Sequence, residues 1–305
     1  MSDQIASQRP IRCSVQSFDE DVFTLVAKIA HEHAGLLIPR EKASMVFSRM
    51  GKRLKALSIS DYRSYCDLLE SEEGHWERRQ LISILTTNVT GFLREAHHFV
   101  KLENDILPDL IQRAKKGQRV RIWSAGCSSG EEPYSAAMAI LSAFPNASSH
   151  DIRILATDID LPILETARSG LYPESSLKPL PTTWQRDFFC AIPEQAHFQI
   201  SDMVKQMVAF RELNLMDAWP FSGQFDVIFC RNVVIYFSQA TQYQLWPRFE
   251  AACRPGGTIF VGHSERIEHH NAPSFNMVGQ TTYKRQGLEK SSQMAQRKWS
   301  NGPSR

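Results

Sequence analysis

No segment of this 305-residue chain approaches the roughly 18 uninterrupted apolar residues of a membrane-spanning helix, which excludes an integral helical membrane protein. The first ten residues are polar and lack the apolar core of a secretory leader, so a cytoplasmic location is expected. Cysteine is sparse. Cys13, Cys66, Cys127, Cys190, Cys230 and Cys253 stand singly, with no C-x-x-C pair and no compact framework. That argues against a disulfide scaffold or a structural zinc site and suits a reducing compartment. An excess of charge of one sign is also missing. Lys and Arg number 35 against 33 Asp and Glu, a net of +2, so composition makes no global case for nucleic-acid binding. No internal repeat is visible. Apolar residues are plentiful, at 42%, which is too many for a disordered chain. At roughly 100–200 residues per domain the length suits two domains.

Residues 1–16 read as a loose arm. Ser17-Phe18-Asp19-Glu20 then has the form of a capping box, with Ser17 as N-cap and Glu20 three residues on. Val22, Phe23, Val26, Ile29 and Ala30 follow at helical spacing. Further helices are expected over 43–57, 61–70 and 76–85, and strand signals are nearly absent before Gln118. Residues 17–95 therefore read as an all-helical domain. Beyond it the pattern alternates: strands over 119–124, 151–157, 225–230 and 257–262, and helices over 131–144, 162–169 and 239–253. This alternation predicts an α/β, doubly wound, mostly parallel sheet over 96–288. The rhythm breaks between about 170 and 212, where Pro173, Pro179, Pro181 and Pro193 accompany candidate strands near 197–200 and 208–211. That stretch is expected to be a small β-rich insertion. The polar residues 289–305 are expected to be a disordered tail.

The segment Ser124-Ala125-Gly126-Cys127-Ser128-Ser129-Gly130-Glu131-Glu132 joins a strand to a helix through small residues. Glycine permits a sharp turn and close approach of a ligand, and the helix start offers free N–H groups. The spacing is not G-x-G-x-x-G, so the dinucleotide fingerprint fails. The second strand ends in Thr157-Asp158-Ile159-Asp160, placing Asp158 where an acid accepts hydrogen bonds from a ribose diol. Asp160 reads as a cap for the next helix. Loop and acid together suggest an adenosine-containing cofactor without a pyrophosphate, so S-adenosylmethionine fits better than NAD.

Three strings then resemble those of the chemotaxis-receptor glutamate O-methyltransferases, the CheR family: residues 85–95 (Leu-Thr-Thr-Asn-Val-Thr-Gly-Phe-Leu-Arg-Glu), the 123–134 loop and helix, and Phe229-Cys230-Arg231-Asn232-Val233-Val234-Ile235-Tyr236-Phe237. Gly262-His263-Ser264-Glu265 resembles a fourth, and Gly91 and Leu93 stand where that family often has bulkier or aromatic residues. The resemblance implies a Rossmann-like methyltransferase fold with an N-terminal helical domain. It implies methyl transfer from S-adenosylmethionine, leaving S-adenosylhomocysteine, to glutamates of methyl-accepting chemotaxis receptors. It also implies cofactor contacts from Asn88, Thr90, Arg94, Glu131, Asp158, Asn214, Leu215, Arg231 and Asn232. The partner implied is the receptor, not nucleic acid or a membrane, and the protein is expected to be a monomer.

Methyl transfer from a sulfonium to a carboxylate is an in-line displacement. A glutamate with a pKa of about 4.3 is already ionised at neutral pH, so no general base is required. The protein positions and desolvates the reactants. Arg94 could pair with the incoming carboxylate or with that of the cofactor, and both roles stay open. Tyr236 could place a hydroxyl beside the reacting centre, or be a core aromatic. Asn232 between apolar residues calls for a polar partner. Glu131 could meet the cofactor's ammonium, or serve the helix start. His97-His98 and His269-His270 lack further ligands at metal-binding spacing, so no metal is expected. In the run 40–55, six cations against Glu41 leave a local +5, and Arg49, Lys52 and Arg53 fall at i, i+3 and i+4. One helical face would then be basic, either a solvated face or a receptor-docking one. The rival readings are a nucleic-acid methyltransferase, which an Asn/Asp-Pro-Pro-Tyr string would have supported, and a cofactor-binding regulatory module without turnover.

Overall fold

The computed structural model describes residues 19–193 and 195–287. The arm 1–16, Ser17 and the tail 289–305 lie outside them. Helix α1, Glu20–Ala34, is capped by Asp19, whose carboxylate accepts the N–H groups of Asp21 and Val22 at 3.2 and 3.3 Å. Asp19 thus replaces Ser17 as the N-cap, because it immediately precedes the first helical residue and its short carboxylate reaches the free N–H groups. Gly35, at φ +69°, ends the helix in the left-handed conformation. Helices α2 (Ala43–Leu57), α3 (Tyr62–Glu70) and α4 (His75–Leu85) pack with α1 around Val26, Val46, Met50, Tyr65, Leu69 and Leu81. Their apolar residues recur every three or four positions, so each helix buries one stripe and leaves the other wet.

Residues 86–96 cross from this bundle to the sheet, with Leu93 and Glu95 at positive φ. Next come α5 (His97–Lys101), one π-helical stretch (Leu102–Ile106) and α6 (Leu107–Lys115). The sheet elements are β1 (Val120–Ala125), α7 (Glu131–Ala143), β2 (Ile152–Asp158) and α8 (Leu161–Ser169). An insertion follows: β3 (Leu171–Pro173), α9 (Glu174–Leu177), α10 (Thr182–Phe188), β4 (Phe189–Ala191), β5 (His197–Ile200) and α11 (Asp202–Lys205). The chain then returns through β6 (Val208–Glu212), β7 (Phe225–Cys230), α12 (Gln239–Ala252), β8 (Cys253–Val261), β9 (Phe275–Gly279) and β10 (Thr282–Arg285).

The main sheet has seven strands in the order β6-β2-β1-β7-β8-β10-β9, parallel from β6 to β8 and antiparallel at β10 and β9. The insertion is a separate antiparallel sheet, β3-β5-β4. One assignment changes. The strand expected near 208–211 as part of the insertion is instead an edge strand of the main sheet, in register with β2 from Ile154–Val208 to Asp158–Glu212. Five consecutive residue pairs with β2 hold it there, and Met207 and Phe210 are buried in the core beneath. Parallel pairing brings the carboxyl ends of β1, β2 and β7 to one edge. There the strand order reverses, with β2 on one side of β1 and β7 on the other, which opens a crevice between the loops.

Candidate functional site

A cleft of about 1230 Å³, counted out to its mouth, lies between that sheet edge, the 86–96 segment and the start of α2. Its floor is the turn after β1. Gly126 has φ +80°, and a Cβ there would meet Val233 Cγ2 at 2.4 Å, so only glycine allows the two loops to approach. Gly126 N and Cys127 N donate to the carbonyl of Thr157 at 2.8 and 2.9 Å, tying this turn to the end of β2. Ser128 N donates to Asp158 Oδ2 at 2.8 Å, and Asp160 N to Asp158 Oδ1 at 3.1 Å. Asp158 is buried at the cleft wall, and that burial raises its pKa to about 6.

The 86–96 segment forms one side. Asn88, Thr90 and Arg94 all line the cleft. Arg94 donates to the carbonyl of Val89 at 2.8 Å and pairs with no carboxylate among the described residues. Its own carbonyl accepts a hydrogen bond from Arg231. Left-handed residues flank it, Leu93 at φ +53° and Glu95 at φ +56°, a strained arrangement that the surrounding contacts must hold.

The loop after β7 forms the opposite side. Arg231 is buried and bridges two acids, reaching Glu95 at 3.2 Å and Glu132 at 3.1 Å. Burial works to raise the Glu95 pKa, but Arg231 and the hydrogen bonds from His263 outweigh it and hold the carboxyl at about 2. His98, buried beneath them, is pushed down to about 3 by burial and by Arg231, so it is neutral at pH 7. Glu265, from the fourth motif, holds the loop itself. Its carboxylate accepts N–H bonds from Asn232, Val233 and Val234, each at 2.9 Å, from Ile235 at 3.3 Å and from Gly262 at 2.6 Å. Five donors on one buried carboxylate fix Asn232 at φ +59° beside the cleft. Tyr236 also lines the cleft, with Lys42 Nζ 5.6 Å from its ring centre.

Several expected residues are placed differently from their expected roles. Glu131 does not line the cleft: its carboxylate turns to the Ser129 hydroxyl at 2.6 Å, while Glu132 faces the cleft and pairs with Arg231. Adjacent helical side chains diverge by about 100°, so only one of the pair can face the ligand. Asn214 lines the cleft beside Leu215, but its amide donates to the His33 carbonyl at 2.7 Å and its oxygen accepts Met216 N at 3.0 Å. The expected basic face of α2 is largely occupied internally. Arg49 donates to the carbonyls of Ile84 and Thr86 at 2.8 and 2.7 Å. Arg53 forms a two-pronged pair with buried Glu77 at 2.8 and 2.7 Å, and Tyr65 donates to the same carboxylate at 2.6 Å. Lys52 remains exposed.

The donor set fits S-adenosylmethionine. Asp158 can accept from a vicinal diol, and Arg94 holds a guanidinium free for a carboxylate. Glu132 can meet an ammonium, and Leu213, Leu215 and Phe237 supply apolar surface for a base. Glu132 and Glu265 were not singled out from sequence as site residues. Glu265 lies some thirty residues from the loop it holds, and no local signal links them.

Comparison with known proteins identifies the family. The chain matches the all-alpha domain of CheR methyltransferases over residues 21–86 and their SAM-binding domain over 88–284. It is 47% identical over 256 residues to a probable chemotaxis protein methyltransferase of Rhizobium etli, covering 83% of this chain and 96% of the relative. It is 38% identical to the chemotaxis protein methyltransferase of Escherichia coli, covering 86% and 89%. With chemotaxis protein methyltransferase 2 of Pseudomonas aeruginosa the figures are 37%, 87% and 93%. Matched along both its helical and its sheet portions, the chain belongs to the CheR methyltransferase family, and residues 88–284 are its S-adenosylmethionine-binding domain.

Proposed function

We propose that the protein methylates glutamate side chains in the cytoplasmic region of methyl-accepting chemotaxis receptors, as part of adaptation in bacterial chemotaxis. The observation that carries this reading is the combination of an acid-lined cofactor cleft with an arginine, Arg94, that pairs with no carboxylate among the described residues. S-adenosylmethionine supplies an electrophilic methyl group. The chain's own part is to hold two carboxylates, one from the cofactor and one from the substrate, without quenching either by protonation. Arg94 pairs with one of them. Tyr236, half-buried and with no hydrogen bond to its hydroxyl among the described residues, offers a donor near the other. Asp158 would hold the ribose hydroxyls and Glu132 the cofactor's ammonium, while Leu213, Leu215 and Phe237 would supply apolar surface for the base.

A carboxylate substrate also needs no histidine base from the described residues. His98 is buried and, with its pKa pushed down to about 3, a very weak base, and His263 is held by Glu95 at 3.1 Å. Lys42 at the cleft and exposed Lys52 further along α2 favour an acidic partner surface. No helix among the described residues is long and apolar enough to cross a membrane, and a monomer working in the cytoplasm suits a receptor's inner domain. Incubation with tritiated S-adenosylmethionine and chemoreceptor-containing membranes tests the proposal. Base-labile methyl esters on the receptor are expected. Alkali-stable label, or label on nucleic acid, overturns it in favour of a nucleic-acid methyltransferase. Cofactor binding without transfer to any receptor leaves a regulatory module.

A further inference from the structure

Asp160 stands apart from the site described above. It caps α8 by accepting Ile163 N at 3.3 Å and is only 3% exposed. Its carboxylate also turns toward the helical half of the molecule. Ser83 Oγ donates to Oδ1 at 2.7 Å, and Thr86 Oγ1 and Asn88 Nδ2 lie 3.3 and 2.6 Å from Oδ2. The bond to Asn88 closes a ring. The Asn88 carbonyl accepts from Ser128 Oγ at 3.2 Å, Ser128 N donates to Asp158 Oδ2, and Asp160 N donates to Asp158 Oδ1. The crossing segment, the cofactor loop and the end of β2 are thereby linked around one carboxylate.

An amide has a donor end and an acceptor end, and either can face a ligand. An ionised carboxylate only accepts. Asp160 therefore draws the Nδ2 end of Asn88 toward itself and leaves Oδ1, which takes no hydrogen bond among the described residues, as the end available to the cleft. We propose that Asp160 is a positioning residue that sets the polarity of Asn88, so that the crossing segment presents an acceptor to an N–H group of the bound cofactor. The inference rests on S-adenosylmethionine occupying this cleft. The cofactor's ammonium and adenine amine are donors that match such an oxygen, and a reversed amide would oppose them.

The test is a swap. Asn88→Asp alone sets two carboxylates against each other, and Asp160→Asn alone removes the charge that orients the amide. The double variant Asn88→Asp/Asp160→Asn exchanges the roles: the amide at 160 donates to the carboxylate at 88, and its oxygen still serves Ser83 and the α8 cap. Calorimetric Kd for S-adenosylmethionine is measured alongside Tm without ligand. Each single variant is expected to raise Kd about tenfold, the order of one hydrogen bond. The double variant is expected to return to within about threefold of the parent. In an Asn88→Ala background, Asp160→Asn is expected to leave Kd unchanged, because the effect passes through the Asn88 amide. A swap no tighter than the weaker single variant, or a further loss in the Asn88→Ala background, overturns the inference and returns Asp160 to a purely structural role. Failure of the parent to bind the cofactor overturns the functional reading instead.

Discussion

The arginines of α2 and the arginine of the crossing segment have the same side chain under opposite conditions. Arg49 covers the carbonyls at the end of α4, and Arg53 neutralises Glu77, which is only 5% exposed. Arg94 has one carbonyl for a partner and opens into the cleft. The first two hold the helical bundle together, whereas the third is available to a ligand. A run of cations therefore measures composition, while function depends on which of them the fold leaves unpaired.

The sharpest break of this comparison lies at Arg53. Arg53→Ala leaves a carboxylate buried without its cation, and unfolding in urea should show a loss of about 3 kcal/mol, with cofactor Kd unchanged. Unaltered stability with a raised receptor KM would instead make Arg53 a docking residue. Arg94→Ala should do the reverse: kcat/KM falls about a hundredfold, the cost of a charge-assisted contact in the site, while urea stability stays near that of the parent.

A pH series sharpens the cleft side. Burial raises the Asp158 pKa to about 6, above its ordinary 3.8. A ribose diol requires the ionised form, so cofactor affinity should be full above pH 6. It should fall by up to about tenfold per unit below that, as protonation competes with binding. For folding the same shift has the opposite sense: the stability it contributes to the empty protein is present below pH 3.8 and lost as pH rises through about 6. Asp158→Asn should flatten the affinity profile; a profile that keeps its shape would assign the titration to another group. The smallest effect is expected at exposed Lys52. Lys52→Glu should raise receptor KM about twofold at low salt and not at high salt, as for a screened surface charge. No change at any ionic strength would leave α2 without a part in docking.

Much of the fold was legible because β1, β2, β7 and β8 are buried on both faces along most of their length and read as near-continuous apolar runs. The helical bundle was legible from its 3.6-residue spacing. Errors arose where local pattern admits two answers. The short strand β6 alternates like an insertion strand, and only its parallel pairing with β2 assigns it to the main sheet. The helical run from His97 to Lys115 was not anticipated, because a π-helical stretch and Pro108 put its apolar residues out of phase. The antiparallel strands β9 and β10 are not marked in the sequence either: β9 leaves Met277 and Val278 exposed, so its apolar residues do not alternate.

At the site, Asn88, Thr90, Arg94, Asp158, Asn214, Leu215, Arg231, Asn232 and Tyr236 were named from sequence, and all line the cleft. Glu131 was named where Glu132 faces it. Both acids suit a helix start, and their neighbours along the chain do not distinguish them. Arg231, 2% exposed in its side chain and fixed by β7, selects Glu132.

By itself the sequence determined the chemical inventory: small residues after a strand and an acid at the end of the next strand, with the asparagine, threonine and arginine of the crossing segment implied by the resemblance of residues 85–95 to the CheR family. These signals are local, because a turn, a strand end or a cap needs only a few consecutive residues. Tertiary structure alone decided which of these groups are free. Glu77 reaches Arg53 across 24 residues, Asp160 reaches Asn88 across 72, and Glu265 reaches Val233 across 32. A side chain's availability is set by such distant partners and by burial, and neither exists until the chain has folded.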